Sequence, residues 1–320
     1  CCVMPVVRLP RLSRVAVCGG THGNELSGVY LVRELLKGRK EQPPSVLTVL
    51  ANPRAVLQCR RYVDTDLNRC FTHAALKGPL PGAVPYEMIR SRELNATLGP
   101  KGSPGAVELV CDLHNTTANM GLCLIAYSDC DWICLHIFRH LQANIPMRYI
   151  HFDVPHKESY SLDSVGKHGF AMEIGPQPHG VVRSNVYAAM KAGVQHMLDW
   201  VCFFNSGTGL PKLSASLHPP PPPFFSRTET RNITAAIHPQ LQDQDFCLLH
   251  PEDPLFQTFS GETLRYKGDE ALYPFFINEC AYYEKGIALS LARKRRVMVP
   301  AIRVQTERER QAHMEEEEEE

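Results

Sequence analysis

The sequence has no run approaching the roughly 20 apolar residues that a membrane-crossing helix needs, which excludes an integral helical membrane protein. Its opening residues, CCVMPVVRLP, lack the layout of a signal peptide. None of its 12 cysteines stands at CxxC spacing, and Cys18, Cys111, Cys123 and Cys202 sit inside apolar runs. They read as buried thiols of a reducing compartment rather than a disulfide framework. The formal net charge is zero, or +6 without Glu315–Glu320, and the one dense basic run, RKRR at 293–296, precedes strand-like VMVPAIRV. A solvated strand entry explains that run, so no nucleic-acid partner is expected. No internal repeat is visible. What remains, 44% apolar and 21% charged over 320 residues, suits a soluble globular protein of one large domain, or of a large one plus a smaller one.

Up to about residue 205 two textures alternate. RVAVC, VLTVLAN, ELVCDLH, GLCLIAY, MRYIHFDV and FAMEIG are short apolar runs rich in valine and isoleucine. LSGVYLVRELLKG, PYEMIRSRELNATLG, DWICLHIFRHLQAN and VVRSNVYAAMKAGVQHMLDWVCFFN repeat apolar residues at three-and-four spacing. The alternation predicts an α/β fold, a mixed sheet flanked by helices, with ligands at the strand ends. SGTGLPKLSASLHPPPPPFFS breaks the pattern with a proline run expected to be extended. The expected organisation is therefore a domain over 1–205, a β-rich domain over 206–304 and a disordered acidic tail over 305–320.

Four segments invite a chemical reading. CGGTHGNE, residues 18–25, puts His22 and Glu25 in a glycine-rich loop between a strand and a helix. They are either solvated loop residues or two ligands of a metal whose third ligand lies elsewhere, since hydrolytic zinc sites take three protein ligands and keep one position open. ELVCDLHNTT offers that third ligand: an apolar strand ends in His114, and Asp112 shares its face, from where a carboxylate can orient the imidazole. FAMEIGPQPHG sets Glu173 in an apolar strand, either as half of a buried ion pair or as a base of raised pKa for water activated at the metal. CRRYVDTDLNRCF, residues 59–71, holds three arginines, two aspartates and an asparagine. That loop is either a surface ion-pair net or a clamp for a carboxylated substrate.

Taken together and in order, GGTHGNE, RYVDTDLNR, DLHNTT, EIGPQPHG and FINECAYYEK resemble the aspartoacylase and aminoacylase III group, relatives of the zinc carboxypeptidases, over about Arg14–Val304. The resemblance implies a carboxypeptidase-like α/β domain with a C-terminal β domain narrowing the mouth of the site, and one Zn2+ per chain on His22, Glu25 and His114. It also implies hydrolysis of N-acyl amino acids to a carboxylate and a free amino acid. Glu173 falls on the family's general base and Arg61 on its carbonyl-polarising arginine. Asn68 and Arg69 fall on the pair that reads the α-carboxylate, with Asp66 in support, and Tyr282 on the substrate-contacting tyrosine. Tyr283 reads as an ordinary strand aromatic.

One position departs from the aspartoacylase pattern. Ten residues before Glu173, where aspartoacylases carry an arginine for the second carboxylate of N-acetylaspartate, stands Asp163. A carboxylate there repels another, so neutral, aromatic or S-conjugated substrates such as mercapturates are expected, unless Lys157, Lys167 or His168 supplies the missing cation. The alternatives are an aspartoacylase proper or a non-catalytic zinc-binding interaction protein. The NxT sequon at Asn115 abuts a metal ligand and cannot carry a glycan, which fits a cytoplasmic protein. The resemblance further implies a homo-oligomer and peripheral association with the apical plasma membrane.

Overall fold

A computed structural model describes residues 5–38, 44–79, 82–219, 224–225, 233–306 and 308–309. Most of the proline run and residues 310–320 of the expected tail lie outside them. Six strands form the central sheet: β1 (Arg14–Gly19), β2 (Ser45–Leu50), β3 (Leu109–Asn115), β4 (Gly121–Ala126), β5 (Met147–His151) and β6 (His168–Gly175). Their spatial order is β2-β1-β3-β6-β4-β5. The pairs from β2 to β6 are parallel, whereas β4 runs antiparallel to β6, so the sheet is mixed.

Alternation along the strands assigns their two faces. Val15 and Val17, Leu109 and Cys111, Phe170 and Met172 turn to one side. There they meet the apolar stripes of α1 (Leu26–Lys37), α3 (Trp132–Gln142) and α4 (Ser184–Asn205) in the larger core. Ala16, Cys18 and Val110 turn to the other side, against Leu94 and Leu98 of α2 (Tyr86–Leu98) and against Leu67 and Phe71. Because faces change every residue, Asp112 and His114, like Ala171 and Glu173, must lie on this second side. The cleft described below lies on this second side, at the ends of β3 and β6.

From Leu213 onward strand and turn predominate. Leu213–Leu217 pairs with Arg295–Val299, whose exposed Arg295 and Arg296 are the expected solvated strand entry. Two three-stranded sheets follow, one of Ala235–Ile237, Pro254–Thr258 and Thr263–Arg265, the other of Tyr273–Phe275, Ile287–Ala292 and Phe224–Phe225. This region has its own core around Phe256, Tyr266, Leu289 and Leu291. A further cluster joins it to the sheet: Phe275, Phe276 and Ala292 pack on Ala118, Met120, Cys123 and Ile150. Tyr283, expected as a strand aromatic, is instead on a short helix, Cys280–Tyr283, together with Tyr282. Glu279 caps that helix by accepting the Ala281 N–H.

Candidate active site

The loop between β1 and α1 needs its glycines. Gly20 has φ +71°, in the left-handed region glycine enters without steric cost. A Cβ on Gly23 would stand 2.1 Å from the Ala55 carbonyl carbon, so glycine alone lets the loop seat against the short helix Pro53–Gln58. The result is that His22 and Glu25 are lowered onto the end of β3, where His114 emerges. All three side chains are buried.

Their potential ligand atoms all lie within 4.8 Å of one another. His22 Nδ1 is 2.7 Å from Glu25 Oε1, His114 Nδ1 is 3.0 Å from Glu25 Oε2, and the two Nδ1 atoms are 3.1 Å apart. Each ring is held from behind by a carboxylate. His114 Nε2 is 2.7 Å from Asp112 Oδ2 and His22 Nε2 is 3.1 Å from Asp66 Oδ1. With Nε2–H donated outward, both Nδ1 lone pairs face the centre, the outer-shell arrangement of metal-binding histidines.

Two lone pairs in contact beside a carboxylate call for a positive charge between them. The charges around the two groups act in the same sense. Burial pushes His114 down, yet Asp112 and Glu25 hold it well above the usual imidazole range. Burial pushes Glu25 up, yet His22 and His114 hold it well below the usual carboxylate range. Tetrahedral nitrogen ligands at 2.0–2.1 Å from a metal stand about 3.3 Å apart, close to the spacing found here. This group can therefore hold a divalent ion and leave one position toward the cleft.

The cleft encloses about 650 Å³ of empty space, its open mouth included, and its walls contain His22, Glu25, His114, Glu173, Arg61, Asn68, Arg69, Asp163 and Tyr282, but not Asp66 or Asp112. Glu173 faces the metal group from β6. Burial first, and the charge of Glu25 second, raise it to about 8. A carboxyl of that proton affinity can both take and return a proton near neutrality. Opposite, Arg61 reaches Glu25 Oε1 and Asp66 Oδ2 at 3.2 Å each, while its buried Nε has no hydrogen-bond partner among the described residues. Asp66 also accepts the Asn68 N–H at 2.9 Å, so one carboxylate organises His22, Arg61 and the 3₁₀ turn Leu67–Arg69. Asn68 spends its Oδ1 on the Leu162 N–H, which leaves its amide donors for the cleft. The Arg69 guanidinium lies 4.6 Å over the Tyr160 ring.

Tyr282 lines the cleft from the C-terminal region, packed edge-on to Phe276 at 5.2 Å. Asp163 lines the inner wall, buried, accepting from Ser161 Oγ, and raised to about 6 by burial. None of the three substitute cations reaches the cleft: Lys167 pairs with Glu108, His168 with Asp131, and Lys157 is exposed. Asn115 is buried and spends both ends of its amide, on Ile174 O and on Ser27 N and Gln177, so no glycan can attach.

Several lining residues escaped the sequence. Ile125, Tyr127, Phe152, Tyr160 and Phe276 give the inner cleft an apolar, aromatic wall. Tyr127 stands just past the end of β4, and the strand-end reasoning that found His114 would have found it too. Glu279 is buried beside Glu173 and takes hydrogen bonds from Thr116 Oγ1, Thr117 N at 2.7 Å and Ala281 N at 3.0 Å. It thereby ties the end of β3 to the helix bearing Tyr282, and nothing but its place in NECAYY could have marked it.

Residues 11–201 match the succinylglutamate desuccinylase/aspartoacylase catalytic domain family, and residues 225–294 match the AstE/AspA barrel-sandwich hybrid domain. The chain is 55% identical to N-acyl-aromatic-L-amino acid amidohydrolase (carboxylate-forming) B of Danio rerio, over 94% of this chain and 99% of that protein. It is 48% identical to the Homo sapiens N-acyl-aromatic-L-amino acid amidohydrolase (carboxylate-forming), over 94% and 96%. The crystal structure of murine aminoacylase 3 superposes with a TM-score of 0.88 at 45% identity, covering 92% of this chain and 99% of that one.

Proposed function

The chain belongs to the succinylglutamate desuccinylase/aspartoacylase family, and from that premise we propose that it is a zinc-dependent amidohydrolase deacylating N-acyl aromatic amino acids, mercapturates included. That it is a hydrolase of amides accords with relatives so named along almost the whole chain. The observation that carries the chemistry is Glu173, a buried carboxyl raised to about 8, facing two imidazoles and a carboxylate that can hold a divalent ion.

His22, Glu25 and His114 would hold a divalent cation, which would supply Lewis acidity to an acyl carbonyl and to water. The remaining work falls to side chains. Asn68 and Arg69 hold the substrate's α-carboxylate, the guanidinium fixed in place over Tyr160. Arg61, with an unpartnered Nε, donates to the acyl oxygen as negative charge develops there. Glu173 accepts the proton of the attacking water and delivers it to the departing nitrogen. Tyr282 covers the bound substrate. The aromatic wall takes a flat side chain, while Asp163 at its inner end disfavours a second carboxylate such as that of N-acetylaspartate.

We take 1–205 as the catalytic domain, 206–304 as the domain that narrows its mouth, and 305–320 as an acidic tail. No helix among the described residues is long and apolar enough to cross a membrane. A cytoplasmic location, apical peripheral association and a homo-oligomeric state belong to the same reading, the first supported by buried thiols such as Cys111 and Cys134 within the core.

The decisive variant is Glu173→Gln, which keeps shape and removes the proton acceptor. Turnover of N-acetyltyrosine falls by about 10²–10⁴-fold while bound metal is retained. Undiminished turnover would show that Glu173 does not carry the proton.

A further inference from the structure

The segment carrying Arg61, Asp66, Asn68 and Arg69 has no regular structure of its own before the 3₁₀ turn at Leu67–Arg69. Beneath it, on α2, Glu87 is fully buried. Unlike Glu25 and Asp66, it forms no ion pair among the described residues. Its Oε1 accepts the Val63 N–H at 2.6 Å and the Asn52 side-chain amide at 3.1 Å; its Oε2 accepts the N–H groups of Asp64 at 3.0 Å and Thr65 at 3.1 Å.

An unpaired carboxylate in a protein interior is costly unless donors surround it, and hydrogen bonds to a charged acceptor are the strong ones. Here three successive backbone amides converge on one carboxylate, which fixes the arch 63–65 rigidly. Arg61 stands two residues before that arch and Asp66 one residue after it. The connection continues outward. Asn52 caps Pro53–Gln58 through the Ala55 N–H at 3.2 Å, the helix on which the Gly23 loop rests. Asp64 Oδ2 in turn accepts the Tyr86 N–H at 2.7 Å, tying the arch to the start of α2.

We propose that Glu87 is a positioning residue for the reaction, setting the spacing between Arg61 and the Asn68–Arg69 pair by gathering the amides of residues 63–65. The inference rests on the substrate reading above, because it assigns those three side chains to two ends of one small molecule. A glutamate that served stability alone would have no influence on how well the substrate's carboxylate is told from a neutral group.

Glu87→Gln turns an amide donor toward backbone N–H groups and opens the arch. The test compares kcat/KM for N-acetyltyrosine and N-acetyltyrosinamide, with metal content and Tm measured on the same preparations. We expect Glu87→Gln to keep its metal, to raise KM for the acid by about tenfold or more, and to lower the acid-to-amide ratio by a similar factor as Asn68 and Arg69 lose register. Glu87→Asp, which keeps the charge but draws it back by one methylene, gives an intermediate ratio. An unchanged ratio in a folded Glu87→Gln protein overturns the proposal, whatever its Tm, and so does failure of both variants to fold. A wild-type protein that cleaves neither compound refutes the substrate reading, and this proposal with it.

Discussion

If two carboxylates aim the histidines, weakening one of them must loosen the metal in a graded way. Asp112 is the cleaner choice, because it is fully buried and its hydrogen-bond partners among the described residues are His114 and Thr21, at 2.7 Å each. Asp112→Asn keeps an acceptor for the His114 Nε2–H but removes its charge. The difference between a charged and a neutral acceptor is about 1.4 kcal/mol, or about tenfold in metal affinity. Asp112→Ala removes the acceptor as well and strands the Thr21 hydroxyl, and the loss should approach about a hundredfold, the upper range for such outer-shell partners. Titrating the stripped proteins with Zn2+ against a chromophoric chelator at fixed pH measures both. At saturating Zn2+ the Asn variant should recover most of its turnover, since His114 keeps its orientation. Equal affinities in wild type, Asn and Ala would refute the idea that this carboxylate presents a ligand.

Other consequences are quicker to state. Asp163→Asn removes like-charge repulsion of order 2 kcal/mol, so kcat/KM for N-acetylaspartate should rise about tenfold or more relative to N-acetyltyrosine; an unmoved ratio would deny Asp163 its role in selection. The same ratio in the wild type should shift toward N-acetylaspartate below pH 6, as Asp163 takes up its proton. Asp245 is raised to about 7 by burial, against the Ile277 N–H that holds it down, and its Oδ2 has no hydrogen-bond partner among the described residues. A carboxyl with a folded pKa above its unfolded one favours folding most below about pH 4 and loses that contribution as pH rises through about 7. Asp245→Asn should therefore raise Tm by about 2 °C at pH 8 and by nothing near pH 4; a gain independent of pH would contradict this.

The sheet and its long helices were legible because each announces itself locally. Valine-rich runs and three-and-four spacing marked β1 through β6 and α1 through α4 to within a few residues. The metal group was legible for a related reason, since His22, Glu25, His114 and Glu173 all stand at or near strand ends. Short elements were not: the helices Pro53–Gln58 and His73–Lys77 are held by Asn52 and Thr72 caps and by tertiary packing, and such short pieces carry no periodic signal. Glu87 and Glu279 were invisible for a different reason. Their function lies in backbone amides gathered from far along the chain, a relation no spacing records. The aromatic wall was hidden likewise, since Tyr160 and Phe276 reach the cleft from loops whose course only the fold decides.

The most direct test of the whole account is the metal itself. Elemental analysis of purified protein, paired with activity on N-acetyltyrosine before and after chelation, should find one zinc per chain, activity lost with it and restored on its return, and no stoichiometric metal in His114→Ala. Full activity in protein free of divalent metal, or an undiminished ion in His114→Ala, would contradict it.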